Sequence, residues 1–152
     1  MKCLDSNFID TGNDYIIVEA DEYDRSFLNL NPNYAVITSI ESDHLDIYGD
    51  FKSLTESFQL FTNNVKDVLI TDAEIDIEKD FSYSIKSDSD YYVNNIKILE
   101  NEIRFDLKTP NKFYSNISAN IIGLHNLKNV LAALSIIDQI KEIDIQNLLP
   151  FL

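Results

Sequence analysis

Residues 14–40 read DYIIVEADEYDRSFLNLNPNYAVITSI. Two apolar runs, residues 14–20 (DYIIVEA) and 34–40 (YAVITSI), flank an acidic, polar stretch, and Pro32 stands just before the second run. Neither run alternates apolar with polar residues. A short continuous apolar run bounded by polar residues is the pattern of a strand buried on both faces of a parallel sheet. Two such runs in succession predict an α/β architecture.

The flanking sequence extends this pattern. Residues 50–64 (DFKSLTESFQLFTNN) predict a helix, because Phe51, Leu54, Phe58 and Phe61 recur at spacings of three and four and Asp50 can cap its start. Residues 65–71 (VKDVLIT) and 81–85 predict further strands. Residues 91–93, 96–100 and 103–107 then read as short strands separated by the turn-like pairs Asn94-Asn95 and Glu100-Asn101. With residues 113–122 they predict an antiparallel β region spanning about 81–122. Residues 125–140 (HNLKNVLAALSIIDQI) predict a helix, with Leu127, Val130, Leu131, Leu134 and Ile137 in helical register. The expected fold is α/β: a mostly parallel sheet flanked by helices, with a small antiparallel insertion.

Composition narrows the function. The 152 residues hold 26 acidic and 12 basic side chains, a formal charge of −14. That charge opposes any partner gripped through bare phosphates, so nucleic acid is not expected. The 45% hydrophobic content suffices for a core. The single cysteine, Cys3, cannot form an internal disulfide and points to a reducing, cytoplasmic setting. No apolar run reaches the ~20 residues of a membrane helix. The three glycines are far apart and form neither a GxxxxGK[ST] loop nor a GxGxxG turn.

Three clusters carry the candidate chemistry. Glu19, Asp21, Glu22 and Asp24 follow the first predicted strand within six residues. Ligands of parallel sheets bind beyond the strands' carboxyl ends, and crowded carboxylates there suit a hard divalent cation such as Mg²⁺; a solvated acidic loop has the same composition. Asp43, His44 and Asp46 follow the second strand, where His44 could ligate a metal, contact a phosphate or serve as a hydrogen-bonded surface histidine. His125, Asn126 and Asn129 open the last helix. Its free N–H groups favour ligand oxygens, and imidazole and amide groups suit a heterocycle's edges, while asparagines also cap helices.

Taken together, these strings resemble the central domain of the Mur ligase family. Residues 19–28 read EADEYDRSFL, residues 32–38 PNYAVIT, residues 43–48 DHLDIY and residues 123–129 GLHNLKN, in the family's order. The likeness spans about residues 14–137 and is nearest to the branch that joins L-alanine to UDP-N-acetylmuramate. It implies ATP-dependent amide formation through an acyl phosphate, in cytoplasmic peptidoglycan precursor synthesis. It also implies that Glu19 and His44 are catalytic metal ligands for Mg²⁺, and that His125, Asn126 and Asn129 contact ATP on its adenine side. Asp21, Glu22, Asp43 and Asp46 would orient bound water or support the ligands, and Arg25 would pair with neighbouring acids.

The departures shape further expectations. The phosphate loop, the preceding UDP-binding domain and the following C-terminal domain are missing, so residues 1–152 read as a partial central domain, inactive alone. Missing sheet neighbours would leave an exposed edge or apolar patch near the N-terminus, and a tendency to associate. Other branches carry a carbamylated lysine where this chain has none between Lys52 and Lys66, with Gln59 near that place. A tripeptide-joining ligase, a stand-alone metal or nucleotide module and an inactive scaffold remain as alternatives, and the oligomeric state is open.

Overall fold

The structure is a computed structural model that describes residue 12 and residues 15–41, 45–140 and 143–152. Its centre is one six-stranded sheet. The strands are β1 (Tyr34–Ile37), β2 (Val68–Asp72), β3 (Phe81–Ser84), β4 (Tyr91–Ile98), β5 (Ile103–Lys108) and β6 (Phe113–Ala119). They lie in chain order across the sheet. Strands β1 to β4 pair in parallel, and β4–β5 and β5–β6 pair antiparallel. The α/β expectation holds. The antiparallel part begins at β4 rather than at residue 81, because β3 runs parallel to both neighbours. Links as short as residues 73–80 and 85–90 can return the chain because the strands they connect are so short.

Adjacent residues on a strand face opposite ways, and the two cores follow that rule. Leu69 and Ile37 pack with Phe27, Phe61, Ile75 and Ile77 on one face. Ile70 packs with Tyr83, Tyr91, Phe105, Leu127 and Leu131 on the other. The first face is covered by helix α2 (Phe51–Thr62) and the second by α3 (Leu124–Gln139). The parallel strands β1 and β2 are therefore covered on both sides, which is why β1 and most of β2 are continuously apolar.

Helix α2 starts where Asp50 Oδ1 accepts from Ser53 N at 2.7 Å. Its buried stripe includes Leu54 and Phe61, and the Phe27 ring lies 5.1 Å from Phe58 and 5.3 Å from Phe61. Phe51, on the same predicted stripe, is 48% exposed. Helix α3 buries Leu127, Leu131 and Leu134, each worth about 2 kcal/mol of removal from water. A four-residue helix, α1 (Leu45–Tyr48), precedes α2.

Two strand expectations change. Residues 15–20 lie outside the sheet, with Ile16 83% and Ile17 97% exposed. An all-apolar strand gains its stability from a paired edge and covered faces. Among the described residues nothing supplies either, and β1 has β2 as its single partner. Asn94-Asn95 is not a turn: β4 runs unbroken through it as a bulge between Asn94 and Lys97. Asn95 takes φ 51°, and its Nδ2 donates to Asp106 Oδ2 at 2.6 Å. Asparagine tolerates the left-handed conformation that a bulge requires, so a turn-like pair and a bulge look alike in sequence.

Candidate functional site

Strands β1, β2 and β3 are parallel, so their carboxyl ends share one edge. The acidic loop and α1 flank the end of β1, and the start of α3 is tied to the end of β2.

The acidic loop opens into a 3₁₀ segment, Tyr23–Asn29, broken inside by Asp24 at φ 61° and Arg25 at φ 57°. Two successive non-glycine residues in the left-handed region cost of order 1 kcal/mol each or more, so the surrounding contacts must hold them. Asp21 Oδ1 accepts from Tyr23 N at 2.8 Å. The Ser26 hydroxyl donates to the Asp21 carbonyl at 3.2 Å. Tyr48, the last residue of α1 and 4% exposed, donates its hydroxyl to the Glu22 carbonyl. The Arg25 guanidinium carbon lies 5.1 Å from the Tyr48 ring centroid. Burial pushes the Tyr48 hydroxyl above its ordinary pKa, with Arg25 opposing. Tyr48 thus joins the EADEYDRSFL string to the DHLDIY string. Arg25, expected to pair with acids, stacks on this ring instead.

Glu19 is exposed, as is Asp46. Asp43 and His44 lie outside the described residues. No group of three or more metal-ligating side chains occurs among the described residues. Glu19, Asp21, Asp24 and Asp46 each offer an accessible carboxylate of the kind that suits a hard cation, and a complete ligand set is not formed by the described residues.

Helix α3 starts at Gly123, whose φ of 85° favours a residue without Cβ. No side chain caps this end. The N–H groups of its first turn are therefore available to ligand oxygens. His125, Asn126 and Asn129 are all exposed there. His125 and Asn129 are one helical repeat apart and share a face. Asn126 Nδ2 donates to the Ile122 carbonyl at 2.8 Å, which ties the helix to the chain before it and leaves the amide oxygen outward. The three therefore sit together, as the sequence suggests.

One pair escaped sequence reasoning. Lys128 Nζ lies 2.8 Å from Asp72 Oδ2, with the Asp72 side chain only 4% exposed and the Lys128 side chain 27% exposed. Asp72 Oδ1 also accepts from Glu74 N at 2.8 Å. Asp72 ends β2 and Lys128 lies between Asn126 and Asn129, so the ion pair pins the first turns of α3 to the strand end. The buried Tyr83 hydroxyl has no hydrogen-bond partner among the described residues, and burial, reinforced by the Asp72 charge, drives its pKa strongly upward. Lysine in a helix and aspartate after a strand are ordinary surface signals, and their separation of 56 positions hides the contact.

Among the described residues, two clefts lie elsewhere. One of about 390 Å³ is lined by Asn95, Lys97, Arg104, Asp106 and Asn116 on the outer face of the antiparallel strands. Its shape follows from the bulges, and none of the motif residues reaches it.

Residues 4–137 match the Mur ligase middle domain. A UDP-N-acetylmuramate–L-alanine ligase of Christiangramia forsetii is 42% identical over 137 residues, which cover 87% of this chain and 29% of that protein. The protein of the same name in Flavobacterium psychrophilum is 40% identical over 134 residues, covering 86% and 29%. Among solved structures, the UDP-N-acetylmuramate–alanine ligase of Thermotoga maritima superposes with a TM-score of 0.72 at 24% identity, covering 83% of this chain and 30% of that one. This chain thus spans less than a third of the length of those curated relatives. By its match over most of its length, the chain belongs to the Mur ligase family.

Proposed function

We propose that this chain is the nucleotide-handling part of a ligase that joins L-alanine to UDP-N-acetylmuramate at the expense of ATP, in cytoplasmic assembly of peptidoglycan precursors. The observation that carries this reading is the 42% identity to a ligase of that name over 87% of this chain, with a family match over residues 4–137 that includes all four motif strings. The exposed, uncapped start of α3 supports it, because it leaves N–H groups, an imidazole and two amides facing solvent at the carboxyl edge of the sheet. No described helix is long and apolar enough to cross a membrane.

In the proposed reaction the muramate carboxylate attacks the γ-phosphorus of ATP, giving an acyl phosphate and ADP. The amine of alanine then attacks the acyl carbon, the amide forms and inorganic phosphate leaves. Such chemistry depends mostly on positioning and on stabilising charge. Mg²⁺, when bound, supplies the positive charge that a −14 chain lacks. Glu19 would hold one such ion through its exposed carboxylate, and His44 would hold a second. His125, Asn126 and Asn129 would hold the adenine side. Tyr48 and Arg25 keep the acidic loop in one conformation beside α1. The isolated chain has no phosphate loop and should bind nucleotide weakly.

The test is made in the full-length ligase. Glu19→Gln and His44→Ala are each expected to cut phosphate release that depends on both alanine and UDP-N-acetylmuramate by at least tenfold. Unchanged rates would remove both residues from the mechanism. A preference for tripeptide over alanine would move the protein to the tripeptide-joining branch. Micromolar binding of Mg-ATP by the 152-residue chain alone, in titration calorimetry, would overturn its dependence on further segments.

A further inference from the structure

We propose that Asp72 and Lys128 are positioning residues for nucleotide recognition: their ion pair sets the rotation of α3 about its own axis and so aims His125 and Asn129 at the purine base. The inference rests on the proposed adenine-side role of that turn and deepens it. Helix α3 begins without a side-chain cap. Its cap residue, Gly123, sits at φ 85°, and the first ladder bond, from Leu127 N to the Gly123 carbonyl, is long at 3.3 Å. A capping side chain holds the first turn but occupies its N–H groups. Here those groups stay free for a ligand, so another contact must hold the turn. Leu127 is fully buried, but an apolar contact is non-directional and fixes depth better than rotation. Asn126 bonds to the Ile122 carbonyl, and Ile122 is itself 70% exposed, so that bond gives no hold on the sheet. Among the described residues, the directional tie from this turn to the sheet is Lys128 Nζ to Asp72 Oδ2 at 2.8 Å.

Asp72 is a firm anchor. It pairs with Tyr83 at the end of β2. Its Oδ1 accepts from Glu74 N at 2.8 Å, and its carbonyl accepts from Ile75 N at 3.1 Å. With about 3.6 residues per turn, successive helical residues stand about 100° apart. Lys128 therefore lies between the buried Leu127 and the exposed side on which His125, Asn129 and Asn126 follow in turn. It grips the helix at one margin of its exposed face. A rotation of about 20° on a radius of about 5 Å moves a side-chain end by about 2 Å, more than a hydrogen bond tolerates. Imidazole and carboxamide groups each carry a donor and an acceptor. They distinguish an amino from an oxo group on a base only when held in place. Loss of the pair should therefore weaken base binding and base discrimination together.

Equilibrium binding of Mg-ADP and Mg-IDP (inosine diphosphate) to the full-length ligase, well below its unfolding range, tests this. The two bases differ at carbon 6, amino against oxo. One hydrogen bond of ordinary strength is worth about fivefold in binding, so Lys128→Met should raise the ADP dissociation constant about fivefold and cut the preference for ADP over IDP by a similar factor. Lys128→Arg keeps the charge and should restore most of that preference. Ile117→Ala, a buried change on β6 at the far edge of the sheet, lowers stability without touching this turn. It should reduce the binding-competent fraction and leave both dissociation constants as in the parent. Unchanged constants in Lys128→Met, a preference that survives while affinity falls, or an Ile117→Ala variant with the same loss of preference would each overturn the proposal. So would a parent that does not prefer ADP. The ligase reading fails separately, by a parent that binds Mg-ADP with that preference and forms no amide from alanine.

Discussion

Replacing Lys128 with methionine tests whether the Asp72–Lys128 pair holds the start of α3 in place. Methionine keeps most of the aliphatic stem and removes the ammonium group. Asp72 is then left as a carboxylate 4% exposed, with the Glu74 N–H as its remaining donor. Removing one partner of a fully buried pair costs about 3–5 kcal/mol. The Lys128 side chain is 27% exposed, so water can enter its place, and the expected loss falls to about 2 kcal/mol. With a urea slope of about 2 kcal/mol/M, the unfolding midpoint should drop by about 1 M. Asp72→Asn should cost less, about 1 kcal/mol, because the freed lysine can swing into solvent. The double variant should lose clearly less than the sum, with a coupling energy of about 1 kcal/mol. Circular dichroism during urea titration reads all four corners of the cycle. Lys52→Met is the reference, since Lys52 sits 83% exposed in a surface pair. A Lys128→Met loss no larger than that of Lys52→Met, or strict additivity in the cycle, would refute the role assigned to the pair.

Tyr83→Phe should leave stability unchanged or raise it, because the hydroxyl is buried without a partner among the described residues and its removal deletes a desolvation cost; the urea midpoint checks this. Burial is the main cause that raises the pKa of both Tyr83 and Tyr91. A raised folded-state pKa gives stability that is complete below the ordinary tyrosine value near 10 and is lost as pH rises beyond it. Near-ultraviolet absorbance should therefore show two of the eight tyrosines ionising with alkaline unfolding rather than before it. Hydrogen bonds from Asn95 first, then the Asn116 backbone, hold the Asp106 carboxyl below its ordinary range. The lowered value gives stability present above the unfolded pKa near 4 and lost as pH falls through the folded one. Asp106→Ala should consequently lower the unfolding midpoint at pH 7, and the difference from the parent should shrink on acidification.

Local signals were read correctly where one segment carried the whole cause. The Asp50 cap and the four- and three-residue spacing of Leu54, Phe58 and Phe61 are such signals, and α2 forms where they predict it. The same holds for α3 and for β1, β2 and β3; the continuous apolar character of β1 and most of β2 reflects helices on both faces. Residues 15–20 carry the same signal as β1 and form no strand. Apolar patterning reports what a segment could bury, while pairing depends on what lies beside it. The Asn94-Asn95 reading failed for the complementary reason: asparagine's ease in the left-handed region serves turns and bulges alike, and the Asp106 carboxylate that selects the bulge lies eleven residues away. In the candidate site, the α3 trio was legible because helical periodicity alone puts it on one turn. The Tyr48 contacts with Glu22 and Arg25 were not, although both strings were noticed, because nothing local says which residue of one meets the other.

These contacts bear on how an acidic chain could handle a phosphate ligand. The basic residues placed at the carboxyl edge are already engaged: Lys128 with Asp72, Lys86 with Glu74 and Arg25 with the Tyr48 ring. They fix loops and helix starts and leave little free positive charge for a phosphate. What faces solvent instead is uncharged or negative, namely the first-turn N–H groups of α3, the amides and imidazole beside them, and Glu19. A nucleotide offered to that surface without a cation meets net repulsion, and one offered with Mg²⁺ does not. Adenosine binding to the chain should accordingly be indifferent to Mg²⁺, whereas ADP binding should require it, and amide shifts at the start of α3 in nuclear magnetic resonance titrations would report both. ADP shifts of equal size with and without Mg²⁺ would mean that a free basic group receives the phosphates, and the division of labour argued here would be wrong.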